Sequence, residues 1–420
     1  MKRLLWLLVL LGSALGAHGE TIAIRAGGII DVVAGGVARD QVVIVSDGVI
    51  RAVGRDVPVP AGVRTIDLSK EWLAPGLVDA HTHLTLTETP EGAPFESFYL
   101  AETNAYRAIR GIHNAAALLR QGFTAIRDVG NDGEWVMADV KRGVEAGLID
   151  GPTIVTSGKI ITPFGGQSRG IPSERGSFWA YEYLDADTPD EVRKAVRKNV
   201  YYGAGVIKLV TDNNPYHASI DEIRAAVDEA HKAGVAVAVH VYGGPAAQAA
   251  IDAGVDSIEH GFDLSDAQLT TMKSKGIYLV GTDMPRSVLD VVGTSGGIFP
   301  PPDVLEPKIL DRLKRAHRIG VKMAFGSDVV IEQKGRTRAD LMLDYLSTWK
   351  KAGIPAADTL RAWTINGAEL LRIADKRGKI AVGFAADLVA MPADPLADVD
   401  ALRKIDFVMK DGRIVRHDAH

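Results

Sequence analysis

Cysteine is absent from all 420 residues. The fold must therefore hold without cross-links, and a lipid-modified N-terminal cysteine is excluded. Long polar or low-complexity tracts are also missing, which argues against a disordered chain. No basic surplus exists either: the formal net charge is −5, and nothing points to nucleic acid as a partner. What is present is an ordinary globular composition, 46% hydrophobic and 24% charged. That is enough apolar content, at this length, to bury one large domain and a smaller one.

The N-terminus is a separate segment. Lys2-Arg3 precede the apolar run LLWLLVLLGSALGA and the small residues around Ala17-His18-Gly19. This is the order of a secretory signal peptide over residues 1–19, too short for a comfortable membrane span, with cleavage after Ala17 or Gly19. The expectation is a periplasmic or secreted protein with no membrane attachment once the leader is gone. Loss of Lys2 and Arg3 takes the charge from −5 to −7.

From Thr21 to about Lys70 the chain is rich in Val, Ile and Gly, with turn signals at Gly27-Gly28, Gly35-Gly36 and Asp47-Gly48. The same texture returns from about Ile380 in ADLVAM, FVMK and GRIVR, with a further turn at Asp411-Gly412. The two ends, 20–74 and 380–420, are expected to pair into one small β-sandwich domain. Between them, over 75–379, eight short apolar stretches alternate with amphipathic helices: LVDAHTHL, FTAIRDVG, TIVTSG, VIKLVTD, VAVAVHVYG, SIEHG, IYLVGT and KMAFGSD. A helix such as IDEIRAAVDEAHKAG repeats its apolar positions at helical spacing and closes on glycine. Eight such units in about 300 residues predict an α/β fold of the (β/α)8 TIM-like barrel type, with a doubly wound open sheet as the alternative.

In a barrel the active site lies at the C-terminal ends of the strands. His81 and His83 fall there on the first strand, Lys208 on the fourth, His240 on the fifth, His260 on the sixth and Asp328 on the eighth. Singly, each has an ordinary use: a histidine as a hydrogen-bonded rim residue, a lysine as an ion-pair partner, an aspartate as a helix cap. Together at one mouth, four imidazoles, a carboxylate and one further anion match the ligand set of a divalent first-row metal such as zinc. An ammonium would repel a cation, but a buried lysine that loses its proton can add CO₂. The resulting carbamate has two oxygens and can bridge two ions.

The set His81-Thr82-His83, Lys208, His240, His260 and Asp328, with the phrases APGLVDAHTHL, DEAHKAGVAVAVH, GVDSIEHGF, FGSD and NGAELLRIADKRGKIAVGFAADLVAM, resembles the two-metal amidohydrolase superfamily. Within it, the chain is similar to the branch of imidazolonepropionase-like hydrolases and prolidase-like, metal-dependent dipeptidases, over nearly its whole length after the leader. The resemblance implies two divalent ions per chain, zinc being the ion expected. His81, His83 and Asp328 would hold the first and His240 and His260 the second, with carboxylated Lys208 and a hydroxide between them. Asp328 would move the proton from water to the leaving amine. Tyr242, two residues past His240, would donate to the oxyanion or to a substrate carboxylate, or simply pack at the rim. The resemblance also makes a homo-oligomer the expected assembly.

One departure bears on the substrate. Related dipeptidases carry Gly-Gly-His after the third strand, where this chain reads PFGGQSR, residues 163–169, with Gln167 in place of the histidine and Arg169 close by. The expected substrate is a small amide, a dipeptide or N-acyl amino acid. A cyclic amide, lactone or other ester remains the alternative for the same centre. A single-metal deaminase is disfavoured, since Gly243 stands where such enzymes resemble one another in having glutamate, and Lys208 is present. A barrel kept only as a non-catalytic module would be expected to have lost ligands, and all six positions are intact.

Overall fold

The computed structural model describes residues 20–87, 102–130, 133–168, 172–212, 216–292 and 300–418. The expected leader and Arg169 lie outside these. Among the described residues, no helix is long and apolar enough to cross a membrane.

The terminal segments form one seven-stranded sheet. Its N-terminal strands are β1 (Ile22–Asp31), β2 (Gly36–Ser46), β3 (Val49–Gly54) and β4 (Arg64–Pro75). Its C-terminal strands, numbered in chain order after the nine that intervene, are β14 (Leu388–Met391), β15 (Phe407–Lys410) and β16 (Arg413–His417). The order is β16-β15-β14-β4-β1-β2-β3, and β14 joins the two ends by pairing antiparallel to β4. Ile24, Val43, Ile66, Leu388 and Phe407 share one buried cluster. Both Asp-Gly turns are tight hairpins: Asp47 and Gly48 have φ of 53° and 75°, and Asp411 and Gly412 have 48° and 74°, the doubly positive pattern that matches strand twist. Gly27-Gly28, however, is no turn. The pair lies inside β1 at a register shift against β4, where a Cβ on Gly27 would stand 2.4 Å from the Ser69 carbonyl oxygen. Close backbone approach, rather than chain reversal, is what the glycine permits.

The intervening strands are all parallel. A three-stranded sheet holds β5 (Leu77–Thr82), β6 (Phe123–Asp128) and β7 (Thr153–Thr156). A six-stranded sheet holds β8 (Ile160–Thr162), β9 (Tyr183–Asp185), β10 (Val206–Val210), β11 (Ala236–Gly243), β12 (Ser257–Asp263) and β13 (Tyr278–Val280). Runs such as VIKLV are buried throughout, as expected of parallel strands covered by helices. The Gly205 amide donates to the Thr156 carbonyl at 2.8 Å and links the two sheets. Apart from β7 and β8, each of these strands leads into an α-helix among the described residues. The helix Ile220–Lys232 starts on a Ser219–Glu222 capping box and stops where Gly234 takes φ 75°, caps worth about 1 kcal/mol each.

Two expected strands differ. TIVTSG breaks at Gly158, which turns at φ 65° against the Trp135 ring, so the chain resumes as β8. KMAFGSD makes one ladder bridge, Met323 to Leu279, and then continues as extended chain bonded to β5: the Ala80 amide donates to Phe325 O and the Asp328 amide to His81 O, both at 2.8 Å. Regular pleating fails there because Gly326 presses on β5, where a Cβ would lie 2.7 Å from that of His81, and because Asp328 is left-handed at φ 55°.

Candidate metal centre

His81 and His83 are buried, and their Nε2 atoms are 3.3 Å apart. Asp328 Oδ1 lies 3.7 Å from the first and 3.4 Å from the second. The outer nitrogens fix the tautomers. His83 Nδ1 is 2.8 Å from the Gly130 carbonyl, which can only accept, and His81 Nδ1 is 2.7 Å from Glu259 Oε2. With protons on Nδ1, both Nε2 atoms present lone pairs. Burial, then the nearby Lys208 charge, pushes His81 far below its ordinary 6.5 and His83 down to about 3, so both rings are neutral at pH 7. Two lone pairs and a carboxylate oxygen at such spacing repel one another unless a cation sits among them. Ligand atoms about 2.1 Å from one ion at near-tetrahedral angles stand about 3.4 Å apart. The three residues form a ligand group of this size, and they fit a divalent metal.

Lys208 occupies the middle of β10 with its side chain buried. Its ammonium is lowered from 10.5 to about 8, chiefly by burial and against the attraction of Glu259 and Asp328. Its charge in turn helps to lower all four histidines. His240 and His260 pack with ring centroids 4.4 Å apart, and burial takes both far below 6.5. His260 Nδ1 meets Thr282 Oγ1 at 2.9 Å and Asp328 Oδ2 at 3.8 Å, while His240 Nε2 faces Asp212 Oδ1 at 3.6 Å. Tyr242 lies edge-on to His240 and stacks on Phe262, and its backbone amide donates to Asp212 Oδ2 at 2.6 Å. His260, Thr282 and Asp328 all have positive φ, at 67°, 46° and 55°. Each such residue costs on the order of 1 kcal/mol, and the three meet in one place, as strain does at working sites.

The six expected ligand positions thus converge on one place. His81, His83 and Asp328 make a three-ligand group, His240 and His260 an adjacent pair, and Lys208 the charge beside both. His113, His231 and His317 sit in helices. His217 meets the Thr211 carbonyl through Nδ1 at 3.3 Å. Asp79 accepts from main-chain amides of His81 and Ser327 at 2.8 and 3.1 Å. It braces the backbone. Gln167 accepts from the Tyr183 hydroxyl at 3.0 Å.

Sequence reasoning missed Glu259, Arg127, Asp212 and Thr282. Glu259 precedes His260 in SIEHG, and strict alternation would turn it away from the site. Glu259 keeps the face of Ser257, which donates to it two residues earlier, and the positive φ at His260 and Gly261 turns His260 to that side as well, so the two neighbours both serve the site. Asp212 was findable, since it lies four residues beyond Lys208 on the same strand path.

The family model described as "Amidohydrolase family" matches residues 72–415. The ochratoxinase of Aspergillus niger is 27% identical over 417 residues, covering 90% of this chain and 83% of that protein. The imidazolonepropionase of Micrococcus luteus is 26% identical over 388 residues, covering 86% and 89%. A solved Xaa-Pro dipeptidase with methionine bound in its active site superposes with a TM-score of 0.84 at 28% identity, covering 94% of this chain and all of that one. This is the TIM-barrel amidohydrolase fold.

Proposed function

The chain belongs to the amidohydrolase family and is an enzyme that hydrolyses C–N bonds; on that premise we propose that it cleaves the amide of a dipeptide or an N-acyl amino acid at a centre of two divalent ions, zinc in the first instance. The observation that carries the reading is the convergence of His81 Nε2, His83 Nε2 and Asp328 Oδ1 within 3.3–3.7 Å of one another, beside a second histidine pair and a buried lysine. In this reading His81, His83 and Asp328 would hold one ion, His240 and His260 would hold the other, and Lys208, as its carbamate, would supply anionic oxygens to both. A lysine lowered to about 8 is about one-tenth neutral at pH 7, against about one part in 3,000 at its ordinary value. The neutral amine is the form that adds CO₂, releasing a proton. When bound, the ions would acidify a water and polarise the scissile carbonyl.

The side chains do the rest. Asp328 takes a proton from the attacking water through a carboxylate oxygen and passes it to the departing nitrogen, without which an amine leaves poorly. Tyr242 donates its hydroxyl to the carbonyl oxygen as charge builds there, or to the substrate carboxylate. Gln167, with its carbonyl oxygen engaged by Tyr183, offers its amide N–H₂ where related dipeptidases place histidine. The solved Xaa-Pro dipeptidase supports a peptide-like substrate. The test is a panel of dipeptides, N-acyl amino acids, lactones and esters offered to the metal-loaded enzyme. Amide turnover releasing a free amine supports the reading, and turnover confined to lactones or to deamination overturns it.

A further inference from the structure

Beneath the ligand group a second, fully buried array crosses the strands. Arg127, near the end of β6, donates from Nε to the Ala80 carbonyl of β5, from Nη1 to Ser257 Oγ at 3.1 Å and from Nη2 to Glu259 Oε1 at 2.7 Å. Ser257, at the start of β12, donates to that same Oε1. Arg127 and Glu259 are shut from solvent. The bonding within the carboxylate is divided: Oε1 takes the arginine and the serine, while Oε2 is left to His81 Nδ1 at 2.7 Å. A buried ion pair is a poor way to fill a barrel layer. Desolvation costs several kcal/mol per ion, and apolar side chains would occupy the space at no such cost. What an apolar layer could not supply is a rigid anion against the outer nitrogen of His81.

Resting on the two-metal reading above, we propose that Glu259, clamped by Arg127, is the positioning residue for His81: it holds the proton on Nδ1, fixes the ring and raises the basicity of Nε2 toward the ion. The four histidines divide in a way that supports this. His81 Nδ1 stands 2.7 Å from a Glu259 oxygen, whereas His83 Nδ1 meets the Gly130 carbonyl, His260 Nδ1 meets Thr282 Oγ1, and His240 Nε2 stays 3.6 Å from Asp212. Glu259 makes the tightest of these carboxylate contacts and is the one carboxylate of the two held in turn by a buried cation. It is therefore the lever on the His81 position.

The experiment measures metal binding rather than turnover. Glu259→Gln keeps the side chain's shape and a carbonyl acceptor but removes the charge, and Arg127→Lys keeps the cation but loses the fork. Zinc affinity is read by competition with a chromophoric chelator, ligand geometry by the visible spectrum of the cobalt-loaded protein, and folding by the melting curve of the metal-free form. Glu259→Gln should weaken one zinc equivalent by roughly 10- to 100-fold, the usual effect of losing such a support, and shift the cobalt spectrum. Arg127→Lys should move both in the same direction by less. Either variant, folded and binding zinc with parental affinity and spectrum, overturns the proposal. A parent chain that binds no divalent ion overturns the underlying two-metal reading instead.

Discussion

Lys208→Met should stabilise the metal-free protein while destroying the enzyme. The Lys208 amine sits buried in β10 and its ammonium is lowered from 10.5 to about 8, because burial outweighs the pull of Glu259 and Asp328. A folded-state value below the unfolded one means that folding works against the proton. The gap corresponds to about 3 kcal/mol, borne in full below pH 8, shrinking as pH rises and gone near 10.5. Methionine has similar length and no charge, so the variant escapes that cost at little packing loss. Denaturant unfolding of both metal-free proteins at a series of pH values reads the difference directly. It should be about 3 kcal/mol in favour of the variant at pH 7 and close to zero at pH 10.5, with amide hydrolysis lost at every pH. A variant no more stable than the parent at pH 7, or a gap that widens towards pH 10.5, refutes the reasoning.

Asp328→Asn keeps an oxygen toward the His81–His83 pair but removes the proton carrier: kcat should fall by about 10²- to 10⁴-fold with one ion equivalent or more retained, as steady-state kinetics beside metal analysis would show. Tyr242→Phe should lower kcat/KM by about 10-fold or more while the melting temperature stays put, since the ring stack on Phe262 survives; unchanged kinetics would reduce the tyrosine to rim packing. Gly326→Ala places a Cβ 2.3 Å from Val280 Cγ1 and 2.7 Å from His81 Cβ. It should cost about 1–3 kcal/mol in denaturant unfolding and reduce bound metal in the same preparation.

Most of the expected ligand positions were legible because they sit on strands. His81 and His83 are two apart and meet, and Lys208, His240 and His260 each lie on a parallel strand whose C-terminal end faces the mouth. The Asp-Gly hairpins were legible for a similar reason, a local backbone demand met by a local residue choice. What escaped were features that break regular strand geometry. Glu259 and its neighbour His260 both serve the site because His260 and Gly261 turn left-handed, and Gly27-Gly28 imitates a turn while serving a close backbone approach. The stretch KMAFGSD carries a strand's composition but surrenders its ladder to the contact between Gly326 and His81. Arg127 was invisible for another reason: its partners lie 130 and 132 positions away, and only the folded chain brings them together.

Dependence of hydrolysis on a metal centre is tested most directly by counting divalent ions in the purified enzyme, stripping them with a chelator, and returning zinc with bicarbonate while following amide hydrolysis. Close to two ions per chain, activity lost on stripping and activity restored on return are the predicted results. Undiminished hydrolysis by a chain holding no divalent ion would contradict it.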